Sequence, residues 1–112
     1  MAVNHGHPKG PQVQIGLTYD NKPFYSVETI IVEPGDCIKW ELAKELPFSI
    51  VVKAVTSPLE LGFYTAAKGS PIVAKVREDA APGYYPYAVS ISDGEDIFVG
   101  DPEIIVRPPR GG

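Results

Sequence analysis

"NHGHPKG" places His5 and His7 two positions apart, the only histidines in the chain. A His-x-His pair offers two imidazole nitrogens of the kind that bind nickel, copper or zinc ions. Two ligands on an N-terminal arm make an incomplete shell, so a metal-handling role stands as the alternative to a plainly solvated extension. Cys37, the single cysteine, can form neither an internal disulfide nor a Cys-based zinc site. It is expected to behave as a small, half-buried residue in a strand. Asp93, Glu95 and Asp96 surround Gly94 in "SDGED" with oxygen donors that calcium accepts, but their spacing matches no EF-hand loop, and a solvated turn accounts for them better. Both histidines fall outside the expected folded body, so no Ser-His or Cys-His pair forms within it. No motif pairs carboxylates for acid-base work. The chain reads as a non-enzyme with no cofactor.

The elements that must position these residues are strands. Twelve prolines and eleven glycines in 112 residues cut the chain into pieces too short for most helices, and Val, Ile, Thr and aromatics fill the intervals. "VQIGL" alternates Val13, Ile15 and Leu17 against polar or small residues, as a strand with one buried face does. In "ETIIVEPGDCIKWEL", Pro34 and Gly35 suit the two central positions of a turn, after which Ile38, Trp40 and Leu42 share a core face. "PFSIVVKAV" is apolar on both sides. Residues 56–69 are irregular, read as a long loop with at most a helical turn around Leu59 to Phe63. "PIVAKV" resumes alternation, and Tyr85, Tyr87, Val89 and Ile91 share one face of the next strand. "IFVG" is brief and "PEIIV" closes the domain. About seven short strands with Pro and Gly turns predict an all-β, Greek-key β-sandwich. Residues 1–12 are expected to be an N-terminal arm, 13–107 the domain, and 108–112 a frayed tail.

A chain of 112 residues holds one core. Its net charge of −4 and isoelectric point near 5.0 lack the basic footprint of a nucleic-acid binder. No stretch approaches the roughly 20 apolar residues that span a bilayer, so no membrane insertion is expected. The start shows no signal-peptide core, which favours the cytoplasm over export, although a trimmed exported precursor would look the same.

Three segments in order resemble the cupredoxin family, the fold of plastocyanin-type blue copper proteins. "IIVEPGDCIKW" is similar to the family's Val-x-x-Gly-Asp-x-Val-x-Trp. "LPFSIVV" resembles Pro-His-Asn-Val-Val, which delivers the first histidine ligand. "GYYPYAVSISDGEDIFVGDPEIIV" is similar to Gly-x-Tyr-x-Phe-x-Cys-x-x-His, a Gly-Met turn and a final Gly-x-Ile-x-Val strand. The resemblance puts Phe48 at the first histidine position, Val89 at the cysteine and Ser92 at the second histidine. The axial methionine would fall in "DGEDIF", which has none. Blue copper needs two imidazoles and a thiolate, so the resemblance implies a copper-free member. It also places Cys37 at the end opposite the metal loops.

Such a domain is expected to bind a protein partner, as yet undefined, or to self-associate. Phe48, Phe63, Tyr64 and Tyr84 are the candidate interaction surface, an aromatic patch for a protein or a sugar ring. Against that stands a sealed end, the favoured version, in which Leu59, Leu61 or Phe63 covers Phe48.

Overall fold

In a computed structural model, which describes residues 10–109, the described residues form ten strands and no helix. They are β1 (Gln12–Leu17), β2 (Pro23–Tyr25), β3 (Thr29–Val32), β4 (Cys37–Leu42), β5 (Phe48–Val52), β6 (Phe63–Ala66), β7 (Ile72–Lys75), β8 (Gly83–Ser92), β9 (Ile97–Gly100) and β10 (Glu103–Val106). A four-stranded sheet runs β2-β1-β4-β7. Facing it, a six-stranded sheet runs β3-β10-β8-β5-β6, with β9 paired to β8. Pairing is mixed: β1 lies parallel to β4 and β10 parallel to β3, while the other ladders are antiparallel.

The count exceeds the expected seven or so, chiefly because two short strands, β2 and β6, lack a period long enough to read. β2 is three residues beyond the "YDNK" turn, held against β1 with Gly16 opposite Phe24. β6 lies inside the segment read as an irregular loop, and it forms because Phe63 to Ala66 hydrogen-bond antiparallel to β5. Leu59, expected in a helical turn, instead bridges Val76 and is buried. Gly10 to Gln12 belonged to the expected arm, yet β1 starts at Gln12, and the Lys39 N–H donates to the Pro11 carbonyl at 3.1 Å. Residues 1–9, including His5 and His7, and 110–112 lie outside the described residues.

Alternation builds the core. Val13 and Ile15 from β1, Ile38 and Trp40 from β4, Ile50 from β5, and Tyr87, Val89 and Ile91 from β8 are all fully buried between the sheets. Burying each large side chain contributes about 1.5–3 kcal/mol relative to leaving it in water. The Pro34-Gly35 turn forms as the sequence requires: Gly35 has φ of 92°, a left-handed value that glycine tolerates, and the Asp36 N–H donates to the Glu33 carbonyl at 3.1 Å.

Candidate functional site: the loop end and the outer face of the six-stranded sheet

The positions that resemblance matched to copper ligands sit on β5 and β8. Phe48 is 3% exposed, points between the sheets and lies opposite Ala66 and Ile91. Val89 is buried opposite Ile50, one inward step further along β8. Ser92 falls on the other side of the strand, and its hydroxyl accepts from the Gly94 N–H at 3.2 Å. Strand β8 thus runs three residues past Val89 before turning. The turn itself is tied by Asp93, whose Oδ1 accepts from the N–H groups of Glu95 at 2.9 Å and Asp96 at 2.8 Å. Those backbone donors hold its carboxyl below the usual carboxylate range. The acidic cluster is therefore an Asx turn rather than a calcium loop. Cys37 begins β4, whereas Leu42 at its other end leads through the connection to Phe48; the thiol lies at the far end of the sandwich. Among the described residues no three His, Cys, Asp or Glu side chains gather as a metal site. Phe48 and Val89 offer no lone pair, and Ser92 offers only a hydroxyl already held by the Gly94 N–H, so this end lacks the imidazoles and thiolate of type 1 copper.

The four expected interaction residues divide. Phe63 and Tyr84 are exposed, at 56% and 62%, on the outer face of the six-stranded sheet. Tyr64 points the other way, half-buried against the core, with its hydroxyl accepting from the Leu61 N–H at 2.9 Å; burial raises its pKa. Phe48 is interior, sealed by its own strand neighbours. Leu61 and Phe63, two of the three side chains expected to cover it, are instead exposed, because Phe63 pairs with Val51, an outward position of β5.

Sequence reading missed the residues that join Phe63 and Tyr84. Ile97 and Val99 of β9 are exposed at 68% and 54%, and Ile31 of β3 at 54%. Across the centre, Val99 lies opposite Ser90, which lies opposite Ser49, which lies opposite Thr65. Small hydroxyl side chains thus floor a shallow groove of about 260 Å³ bounded by Pro47, Ala66 and Ile97. A charged band follows: Lys53 Nζ bonds Asp101 Oδ1 at 2.6 Å, and Glu103 accepts from the Thr29 and Tyr84 hydroxyls. That bond raises the Tyr84 pKa, since ionising the phenol beside a carboxylate is unfavourable. Beyond the band, Ile31, Ile105 and Tyr84 stand side by side on three neighbouring strands. The signal was present in "TIIV", "IFVG" and "EIIV": doubled apolar residues leave one on each face of a strand, and here the second face is open.

The four-stranded sheet solves the same problem differently. Its outer face carries Gln14, whose Nε2 donates to Glu41 at 2.7 Å, and Lys39, which pairs with Glu41 at 3.5 Å. These polar pairs fill the middle of that face and leave Phe24 and Val73 exposed on its two edge strands, whereas five large apolar side chains, Ile31, Phe63, Tyr84, Ile97 and Val99, stand more than half exposed on the other face.

No family model matches the chain, and no curated protein matches it by sequence. Solved structures match it by shape. A purple cupredoxin from Nitrosopumilus maritimus shares 16% identity, covering 87% of this chain and 99% of its own, with a TM-score of 0.57. The fold is that of the cupredoxins. An oxidised amicyanin mutant is similar over 84% of this chain and 80% of its own, at 14% identity and a TM-score of 0.52. A second amicyanin mutant, in its Cu(I) state, is similar over 86% and 82%, at 15% identity and a TM-score of 0.52. The cupredoxin likeness anticipated from three sequence segments is thereby shown for the architecture.

Proposed function

We propose that this cupredoxin-like domain is a non-catalytic module without a type 1 copper site, and that it works by docking a protein on the outer face of its six-stranded sheet. The observation that carries the first half is the filled loop end. Phe48 and Val89 are packed inward where the resemblance puts two of the ligands, Ser92 at the third faces the other way into the turn, and β8 passes into a tight Asx turn instead of a ligand loop. The absence of a histidine from residues 10–109 removes the commonest general base as well. The second half rests on the contrast between faces. Five large apolar side chains exposed on one sheet, against Phe24 and Val73 flanking a polar centre on the other, are the pattern of an interaction surface.

Adding Cu(II) to the full chain tests the copper half. No charge-transfer band near 600 nm, roughly where copper-thiolate sites absorb, is expected; an intense band there overturns the proposal. Ions held at His5 and His7 would give weak d–d absorption, which Cys37→Ser leaves unchanged.

A further inference from the structure

The outer face of the six-stranded sheet is complementary to itself. Strand β8 runs down its middle, with β5 on one flank and β9 followed by β10 on the other. At the level of Ser90, one flank carries the large Val99 and the other the small Ser49. At the level of Ser92, one flank carries Ile97, and the other ends at Pro47, whose carbonyl accepts from the Ser92 N–H at 3.2 Å. Near Pro86, one flank carries Glu103 and Asp101, and the other Lys53. At these three levels the knob or negative charge on the β9–β10 flank has a small residue, a groove or a positive charge level with it on the β5 flank.

We infer that this face pairs with the same face of a second copy, about a two-fold axis lying along β8. The inference rests on reading the face as the docking surface. Rotation about that axis sets each level of the face against the same level of the other copy with its flanks exchanged, as an isologous interface requires. Ile97 of one copy then enters the groove lined by Pro47, Ser49 and Thr65 of the other. Val99 lies over Ser49, and Lys53 over Glu103 and Asp101. The small floor of Ser49, Ser90 and Ala88 lets two sheets approach face to face, the arrangement of sandwich layers. The area fits a weak pair. The six strands of this sheet hold 31 residues, which at about 4.8 Å and about 3.3 Å spacing give roughly 490 Å² per copy, the size of a small, reversible interface.

Sedimentation equilibrium of the full chain between about 1 µM and about 1 mM should show a monomer–dimer equilibrium. Ile97→Asp should weaken it by at least about 100-fold, because the carboxylate would be buried in the opposing groove, with far-UV circular dichroism unchanged and Tm unchanged at concentrations where the parent chain is itself monomeric. Lys53→Glu and Asp101→Lys should each weaken it about tenfold at low salt. An equimolar mixture of those two should pair more tightly than either alone, since the carboxylate introduced in one variant would then face the ammonium introduced in the other, while the remaining native Asp101 and Lys53 still face each other. A mixture no tighter than its components overturns the axis along β8. A chain monomeric to about 1 mM, or a dimer unmoved by Ile97→Asp, overturns self-pairing altogether. In the monomeric case an apolar fluorescent dye separates the two readings: binding that Ile97→Asp abolishes keeps the docking face without this occupant, and no binding removes both.

Discussion

The indole N–H of Trp40 donates to the Tyr87 hydroxyl at 3.1 Å, with the ring centroids 5.6 Å apart and the planes at 62°. Trp40 comes from the four-stranded sheet and Tyr87 from the six-stranded one, both with no exposed surface. The contact joins the layers at their centre. An edge-to-face aromatic pair adds about 0.5–1.5 kcal/mol beyond area burial, and the hydrogen bond satisfies the one polar atom of the indole. Trp40→Ala should therefore lower the unfolding free energy by about 3–5 kcal/mol in urea titration. A loss below about 1 kcal/mol would contradict its burial.

Alkaline pH should attack the same pair. Burial pushes the Tyr87 phenol well above its ordinary value, against a smaller opposing effect of the Trp40 donor. The folded state keeps its proton after the unfolded chain has lost it, so Tyr87 contributes its full stabilisation below about pH 10. Above that the contribution falls by up to about 1.4 kcal/mol per pH unit until the folded phenol itself ionises. Urea midpoints at pH 8, 10 and 11 should show this decline. In Tyr87→Phe the alkaline slope should be shallower, although the variant starts about 1–3 kcal/mol lower because the indole N–H is left unpaired.

Much of this interior was legible in the sequence, because alternation in "VQIGL", "CIKWEL" and "YYPYAVSIS" names every core residue of β1, β4 and β8 by parity alone. The Pro34-Gly35 turn was legible because its backbone angles demand those residues. The candidate site was much less so. Whether Phe63 or Tyr64 faces outward depends on the pairing register of a four-residue strand, and a slip of one residue would exchange them. The brief strand "IFVG" is apolar throughout, so parity gives Ile97 and Val99 no facing, and only a sheet with one uncovered face makes them surface.

Tyr25 shows a relationship that no local pattern encodes. Its hydroxyl is buried without a hydrogen-bond partner and lies so close to Gly100 that a Cβ there would overlap it. Burial first, and then the charges of Asp101 and Glu28, push its pKa up to about 12. Tyr25→Phe removes a desolvated group that makes no bond, so stability should stay level or rise by up to about 1 kcal/mol. Gly100→Ala should cost about 1–3 kcal/mol, because the ring must leave its slot between β2 and β9. A destabilising Tyr25→Phe would show that the hydroxyl has a partner.

Phe48 and Ile97 both line the same groove, yet they occupy opposite sides of the six-stranded sheet and should fail differently. Phe48 faces inward against Ala66 and Ile91, so Phe48→Ser removes a buried ring and leaves a cavity with a stranded hydroxyl. Such a change costs about 3–5 kcal/mol, which should appear as a shift of the urea midpoint. It adds nothing to the outer face, so the dimer constant, measured where the variant is still folded, should move less than about threefold. Ile97→Asp should give the reverse, a monomer whose midpoint is unshifted at concentrations where the parent chain is also monomeric. If Phe48→Ser instead dissociates the dimer at unchanged stability, the ring belongs to the interface, and the loop end rather than the sheet face is where this domain meets its partner.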